Sequence, residues 1–251
     1  MISVLTASGR AAHRHLLDAY ESLLTQDGVE WEWVIHLDGA HRTLPAGVRN
    51  DPRVRVEANG ERLGIAITRN RALMRARGER IQNLDDDDML TCDSLARLSA
   101  ALDRHPACAF AFGDSRGADA RGALQANLRA PHGVLAPGAL FDLWMTDGWS
   151  ERTFPPLAPS AIMWRRAILL AAGGWRAMSG CEDTALLMGV AEIYPSVGIG
   201  AATIVIREHP ARTSLSPAFR AAKTGHWEFI REQVLALRAL SQHAPGRALA
   251  D

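Results

Sequence analysis

Short apolar runs alternate with amphipathic runs along the first half of the chain. Short runs predict strands at residues 2–6, 31–37, 54–57, 80–84 and 107–112, and the first of these is apolar. Apolar side chains at helical spacing predict helices at 16–24, at 64–77 and, capped by Thr91, at 92–104. Because strands that alternate with helices pair in parallel, the pattern predicts an α/β fold with a mostly parallel central sheet.

The pattern of the second half is less regular. Residues 116–138 are rich in Gly, Ala and Arg, which predicts a long loop with some helix. Further strands are predicted at 160–164, 197–199 and 202–207. The predicted C-terminal helix carries five apolar side chains on one face: Trp227, Ile230, Val234, Leu237 and Leu240. No repeat or low-complexity tract interrupts the chain, so we expect one compact unit.

The composition is that of an ordinary globular protein, and it excludes several classes of function. Of the 251 residues, 47% are hydrophobic and 22% charged, and the 28 basic and 28 acidic side chains cancel. A general nucleic-acid binder would need an excess of basic charge. Lys223 is the sole lysine, which leaves one candidate for Schiff-base chemistry, and the sequence has no GxxxxGK[ST] phosphate loop.

The cysteines and the distribution of apolar residues indicate the compartment. Cys92, Cys108 and Cys181 form no CxxC pair, so we expect free thiols in a reducing environment. The chain does not open on a basic segment followed by a long apolar stretch. No apolar run approaches the ~20 residues of a membrane span. We therefore expect a cytoplasmic protein without a transmembrane segment.

Four adjacent aspartates, at 85–88, follow the predicted strand at 80–84. Their carboxylates repel one another, and Mg²⁺ or Mn²⁺ would relieve this repulsion while keeping coordination positions open for phosphate. The run could instead be a solvated loop that stabilises the start of the next helix. Residues 6–8 and Asp38 leave two other predicted strands, and ligands bind beyond such strand ends in open parallel sheets. Together these ends predict a nucleotide pocket with a metal at its diphosphate end.

The order of several short motifs resembles family 2 glycosyltransferases, which have the GT-A fold. The segments that carry the resemblance are the opening strand at 2–7, HLDGA at 36–40, GIAITRN at 64–70, RGERIQNLDDDD at 77–88, AGGW at 172–175, CED at 181–183 and REHP at 207–210. His36 and Leu37 depart from the usual pattern of the second segment, which retains Asp38. The match covers roughly residues 1 to 215, and the ordered set is far more specific than any one motif.

The resemblance implies a role for each matching residue. Asp38 would hydrogen-bond the nucleotide base beside the backbone of residues 6–8, and Arg69 would face the nucleotide or its phosphates. The complete set of implied donor-binding residues is Thr6, Ala7, Ser8, Asp38, Arg69, Asp85 and Asp86. The implied metal ligands are Asp85, Asp87 and His209, with His209 alternatively contacting the diphosphate. Asp183 would be the general base, with Glu182 beside it at the acceptor.

The implied protein is a metal-dependent inverting glycosyltransferase. It would move a sugar from a nucleoside diphosphate sugar, with UDP favoured, to a hydroxyl of a small molecule or glycan precursor. A single GT-A domain is expected, with a nucleotide-sugar half at 1–115, an acceptor half at 116–215 and a C-terminal helix at 216–251. The chemistry needs a cation for the leaving diphosphate and a separate carboxylate for the acceptor proton, and the sequence offers two separate acidic sites.

Other interpretations of the same residues stay open from sequence alone. Residues 113–117 read GDSRG, the G-x-S-x-G of an α/β-hydrolase elbow, and Ser115, Asp183 and His209 occur in that family's order. The hydrolase interpretation leaves the aspartate run without a role. A non-catalytic sugar-nucleotide-binding module would keep Asp38 and the metal motif, and a nucleotidyltransferase would also set carboxylates and metal against a nucleotide. Glu182 and Asp183 could simply charge the first turn of a helix.

Overall fold

The fold is a twisted sheet with helices on both faces, seen in a computed structural model that describes residues 1–9, 13–119, 123–146, 157–210 and 212–243. The strands of the described residues are β1 Ile2–Ser8, β2 Trp31–Leu37, β3 Val54–Ala58, β4 Arg80–Asn83, β5 Met89–Leu90, β6 Phe110–Ala118, β7 Leu124–Leu128, β8 Gly133–Leu135, β9 Ile162–Arg165 and β10 Ser196–Arg207. The helices are α1 His13–Leu24, α2 Ala46–Asn50, α3 Ile65–Arg75, α4 Ser94–Arg104, α5 Ala139–Thr146, α6 Arg166–Ala171, α7 Glu182–Ile193 and α8 Pro217–His243.

The order of the strands places the carboxyl ends of three parallel strands next to one another. The order is β3-β2-β1-β4-β9-β6-β10-β5, with β7 on β6 and β8 on β10. The first four of these strands are parallel, as are β6 and β10, so most residue pairs in register belong to parallel neighbours. The carboxyl ends of β1, β2 and β4 therefore lie side by side, as expected for an α/β nucleotide pocket.

Alternate residues of each strand fill two hydrophobic cores, one on each face of the sheet. On one face, α1, α2 and α4 cover strand residues such as Val4 and Ile35. On the other face, α3, α5, α7 and α8 cover their neighbours in sequence, Leu5 and Val34. Because successive strand side chains point to opposite faces, a strand covered on both sides must be apolar throughout, which explains the continuous apolar runs of the sequence.

The parallel half confirms the α/β prediction, and the region after residue 112 corrects it. The strand predicted at 107–112 begins at Phe110 and continues to Ala118, across the expected boundary between the two halves. The predicted loop at 116–138 also contains β7 and β8, with residues 120–122 outside the described part. The short sequences of β7 and β8 carry no clear strand pattern. These strands form because they pair with β6 and β10.

Two further predictions are corrected by backbone geometry. The strands expected at 197–199 and 202–207 form the single strand β10, which shifts register between Gly198 and Ile204 and contains Gly200 at φ +64°. Thr91 does not cap α4: the helix begins at Ser94 after Asp93 at φ 58°, and the Thr91 hydroxyl instead donates to the Ala202 carbonyl oxygen at 2.7 Å.

The C-terminal helix α8 packs one face against α7, and residues 244–251 lie outside the described part. Trp227, Ile230 and Val234 are buried as expected, whereas Leu240 is 69% exposed because it lies near the end of the helix. Within the described residues, no helix is both long enough and apolar enough to cross a lipid bilayer.

The hydrolase elbow proposed for residues 113–117 does not form. Ser115 lies within β6, where it pairs with Ile204 on one side and Leu128 on the other. A nucleophile elbow requires a sharp turn from strand to helix that exposes the serine, and here the serine is 5% exposed in continuous strand. The alternative that uses Ser115 as a nucleophile is therefore excluded by the backbone.

Gly113 is required by close packing within the sheet. A Cβ there would collide with the Thr203 side chain and lie 2.6 Å from the Ala201 carbonyl oxygen. We predict that Gly113→Ala lowers the free energy of unfolding by about 1–3 kcal/mol through overpacking. In contrast, a Cβ at Gly225 of α8 meets nothing within 4 Å, so the control Gly225→Ala should raise stability by up to ~1 kcal/mol. Urea unfolding measures both, and equal stability of Gly113→Ala and the unsubstituted protein would contradict this packing.

Candidate active site

The end of β1 is tied to its two neighbouring strands by buried polar groups. The Thr6 hydroxyl donates to the Leu84 carbonyl oxygen at 2.6 Å and accepts the Trp33 indole N–H at 2.8 Å. The Ser8 carbonyl oxygen accepts the Asp38 amide at 2.9 Å. Thr6, Ala7 and Ser8 are all buried. The three strand ends predicted from sequence therefore do meet in one rigid edge.

Asp38 organises the loop that leads into α3. Its Oδ1 accepts hydrogen bonds from the Leu63 amide at 2.8 Å, the Gly64 amide at 3.1 Å, Asn59 Nδ2 at 3.1 Å and Thr68 Oγ1 at 3.2 Å. Burial acts to raise the Asp38 pKa, but these donors outweigh it and hold the pKa below its ordinary value. Asp38 is therefore charged at neutral pH, and its partners Asn59 and Thr68 were not identified from the sequence.

Arg69 lies at the centre of a buried ion cluster. Its Nη1 donates to Glu182 Oε1 at 2.6 Å and to Asp183 Oδ2 at 2.7 Å, while its Nη2 donates to Asp85 Oδ1 at 2.9 Å. The side chain is 7% exposed. That Arg69 faces the nucleotide or its phosphates stays a prediction; in the structure its guanidinium joins the aspartate run after β4 to the two acids that open α7.

Three carboxylates share this one guanidinium, with Glu182 and Asp183 largely buried and Asp85 33% exposed. Burial raises the pKa of Asp183 to about 7; the Arg69 charge lowers it, and the charges of Glu182 and Asp85 raise it again. The Trp175 indole N–H also donates to Asp183 Oδ1 at 2.8 Å. The Asp183 carboxylate therefore has a fixed orientation and a pKa close to neutral pH, and both properties suit a general base.

The Gly-Gly-Trp turn is held against α3 by a reciprocal pair of hydrogen bonds. Asn70 Nδ2 donates to the Trp175 carbonyl oxygen at 2.7 Å, and the Trp175 amide donates to Asn70 Oδ1 at 2.8 Å. Gly174 has φ +70°, and a Cβ there would collide with the Asn70 side chain. The adjacent residues Arg69 and Asn70 thus fix, respectively, the acids of α7 and the tryptophan that orients Asp183.

The four aspartates alternate between the interior and the pocket. Asp88 is 1% exposed, accepts the Arg207 amide at 3.2 Å, and has a pKa raised first by burial and then by its acidic neighbours. Asp86 accepts a hydrogen bond from Ser8 Oγ, which in turn accepts one from Arg42. Burial raises the pKa of Asp86 to about 6. Asp86, expected to contact the donor, is thus directed at Ser8 instead.

Asp87 meets His209 from the end of β10. His209 Nε2 and Asp87 Oδ2 are 2.7 Å apart, and the His15 ring from α1 lies 5.0 Å from the His209 ring. Arg207 supports this arrangement by donating to the Asp87 carbonyl oxygen at 3.3 Å and pairing with Asp18. The structure therefore brings two of the three expected metal ligands into direct contact, and His15 beside them was not identified from the sequence.

The donor set fits a divalent cation that completes its coordination with substrate. Within the described ranges, no group of three or more His, Cys, Asp or Glu side chains is arranged as a ready metal cage. Asp87 Oδ2 and His209 Nε2 are hydrogen-bonded to each other, and a cation held by both would take the place of the proton between them. Mg²⁺ is commonly held by only one or two protein carboxylates together with substrate phosphates and water.

Comparison with known proteins agrees with this geometry. The model of the family described as "Glycosyl transferase family 2" matches residues 13–153, which is more than half of the chain. The chain belongs to glycosyl transferase family 2. A family member from Bacillus subtilis (strain 168), named as the teichuronic acid biosynthesis glycosyltransferase TuaG, is 34% identical over 117 residues, or 45% of each chain. The chain thus spans about half the length of this curated relative.

Solved structures establish the GT-A fold of this family member. The crystal structure of S. aureus TarS 1-349 in complex with UDP-GlcNAc matches with a TM-score of 0.67 at 17% identity, covering 93% of this chain and 66% of that one. The same TarS segment in complex with UDP matches with a TM-score of 0.63 at 19% identity, covering 83% and 61%. At these identities the similarity shows the fold.

Loss of Arg69 should be costly in a way that depends on pH. We predict that Arg69→Leu lowers the free energy of unfolding by about 3–5 kcal/mol at pH 8, because three carboxylates lose their buried counterion. Without Arg69 the Asp183 pKa rises above about 7, so between pH 8 and pH 5.5 the folded variant holds a proton on Asp183 over more of the range than the folded unsubstituted protein, while an unfolded aspartate of pKa 3.8 binds none; the variant therefore gains more stability on acidification. The loss should therefore shrink at pH 5.5.

The matched control is Arg71→Leu in the same helix. Arg71 is exposed and donates to Asn59 Oδ1 at 2.9 Å, so its removal should change stability by less than ~1 kcal/mol at either pH. Urea unfolding at pH 8 and pH 5.5 gives all four values. Equal losses for the Arg69 variant at the two pH values would show that the three carboxylates do not depend on this guanidinium.

Proposed function

We propose that this family 2 member transfers a sugar from a nucleoside diphosphate sugar to an acceptor hydroxyl, with inversion at the anomeric carbon. The observation that carries the proposal is the simultaneous contact of Arg69 with Asp85, Glu182 and Asp183. This contact sets the aspartate run, proposed to face the donor diphosphate, beside the acids proposed to face the acceptor. A transferase needs these two groups within the length of one sugar ring.

The proposed donor pocket is the edge formed by the ends of β1, β2 and β4. Asp38 has one oxygen occupied by its own loop, and we propose that its charged carboxylate also orients the nucleotide base beside residues 6–8. UDP is the favoured nucleotide. Its support is indirect: the TarS structures of the same fold are complexes with UDP and UDP-GlcNAc. The residues of this pocket do not identify the sugar of the donor.

Asp183 is the proposed general base. Its two oxygens are oriented by Trp175 and Arg69, and its pKa, raised to about 7, makes it a stronger base than an ordinary aspartate for the proton that the hydroxyl loses as it attacks. Glu182 accepts from the same Arg69 nitrogen and keeps the guanidinium in place. Direct attack by the hydroxyl that Asp183 deprotonates would invert the anomeric configuration, because no residue need form a covalent sugar intermediate.

Asp87 and His209, with Asp85 beside them, are the proposed residues for Mg²⁺ or Mn²⁺. When bound there, the cation would offset the negative charge that develops on the leaving diphosphate. Arg69 contacts Oδ1 of Asp85 and so fixes that carboxylate at the boundary between the two acidic groups. His209 must be neutral to act as a ligand, since a protonated imidazole has no lone pair to donate.

We also propose an acceptor class and a cellular location. We favour a small molecule or a glycan precursor as acceptor, in line with the teichuronic acid assignment carried by the name of the B. subtilis relative. A cytoplasmic location is favoured by three cysteines without a disulfide: Cys92 is exposed, Cys108 buried and Cys181 half-buried. A non-catalytic module or a nucleotidyltransferase would share the nucleotide edge but would not need Asp183 as a base.

We predict that Asp183→Asn reduces turnover by ~10² or more while leaving donor affinity nearly unchanged, since only the proton acceptor is lost. Turnover is measured as release of nucleoside diphosphate from the sugar nucleotide, and affinity by calorimetry. The control Asp103→Asn alters an exposed carboxylate of α4 that pairs with Arg80, and it should behave like the unsubstituted protein. Undiminished turnover of Asp183→Asn would remove this residue from its role, and release of pyrophosphate would indicate nucleotidyl transfer instead.

We predict that EDTA abolishes transfer and that Mn²⁺ or Mg²⁺ restores it. Asp87→Asn and His209→Ala should each weaken Mn²⁺-dependent UDP binding by about tenfold or more, because each removes one ligand. The control is His132→Ala, which alters the exposed histidine that faces Asp114 at 3.4 Å and should leave binding unchanged. Calorimetric titration of UDP with and without Mn²⁺ measures the effect, and full transfer in the presence of chelator would refute the metal role.

A further inference from the structure

A small cavity adjoins Asp183 on the interior side of the site. It offers about 10 Å³ of room for the centre of a water-sized sphere, which is close to the minimum needed for one water molecule. Its polar lining comes from Asn83, Trp164, Trp175, Asp183 and Thr184, and the remaining lining is leucine, isoleucine and proline. The cavity therefore lies between the end of β4, β9 and the first turn of α7.

Two buried polar atoms of the lining have unmet hydrogen-bonding capacity. Asn83 Oδ1, an acceptor, and Trp164 Nε1, a donor, make no hydrogen bond to the residues that the structure describes. Asn83 is 4% exposed and Trp164 is 2% exposed, so bulk solvent does not reach either side chain. A buried polar atom without a partner destabilises the folded state, and two such atoms beside one cavity are unusual in a folded protein.

The register of the sheet explains why these two residues share the cavity. Trp164 of β9 is directly opposite Ile81 of β4 in an antiparallel pair, so the two side chains lie on the same face. Asn83 is two residues beyond Ile81 and therefore points to that face as well. This is the face covered by α7, which contributes Asp183 and Thr184 to the cavity.

We propose that this cavity is a binding site for one internal water molecule. The water accepts the Trp164 indole N–H and donates to Asn83 Oδ1, and so joins β4 to β9 beside the turn of α7 that carries Asp183. A water is the ligand of the right size and chemistry, because it supplies both an acceptor and a donor within a space that admits no larger group. The proposal rests on the cavity and the two polar atoms, and it stands independently of the proposed function.

The test is a double-substitution cycle on thermal stability. Trp164→Phe removes the donor together with part of the ring system, and Asn83→Leu removes the acceptor with a side chain of similar branched shape. Either substitution alone leaves the water without one partner, and we expect each to lower Tm by at least about 2–4 °C. In the double variant both polar atoms that the water joins are gone, so neither is left without a partner. The loss should therefore be clearly smaller than the sum of the two single losses.

The control cycle combines Asn83→Leu with Trp31→Phe. Trp31 belongs to the core on the opposite face of the sheet, where it packs under Arg53, so these two losses should add. A crystal structure of the unsubstituted protein should show ordered density within hydrogen-bonding distance of both Asn83 Oδ1 and Trp164 Nε1. Additive losses in the test cycle overturn the proposal, as does a cavity found dry or filled by protein atoms. None of these measurements depends on transferase activity.

Discussion

The arrangement of the site depends on one buried cation held between three carboxylates. Arg69 has no solvent to screen it, and it contacts Asp85, Glu182 and Asp183 at 2.6–2.9 Å. These residues come from α3, the segment after β4 and the start of α7, which are far apart in sequence. Because the three acids would repel one another without the guanidinium, this contact sets both their separation and their orientation.

The aspartate run shows how position along a loop divides four identical side chains between structure and chemistry. Asp86 and Asp88 are directed at Ser8 and the Arg207 amide, and their raised pKa values reflect the cost of placing carboxylates there. The intervening Asp85 and Asp87 contact Arg69 and His209. A motif of alternating aspartates thus follows from the backbone: two anchor the loop, and the other two are presented to the pocket.

The sequence predicted the fold class and named many of the residues that lie at the candidate site. It did not predict how those residues contact one another. Mostly apolar runs identify β1 and β2, because parallel strands buried on both faces are largely apolar. The strands β7 and β8 carry no such signal, since their stability comes from pairing with neighbours. Arg69 was found by its motif, yet its partners Glu182 and Asp183 are more than 110 residues away. No local pattern reports a contact over that separation.

The balance of charge in the site has a consequence for how a donor would bind. Arg69 neutralises one of three carboxylates, and Asp87 adds another negative charge beside an imidazole that is neutral when it acts as a ligand. A diphosphate brought to this edge alone would face net negative charge at short range. The divalent cation that we propose would reverse that sign, and its proposed ligands among the described residues, Asp87, His209 and Asp85, are too few to fill its coordination sphere. The cation and the diphosphate therefore complete each other's binding, which is why the proposed donor and metal are expected to bind as a pair.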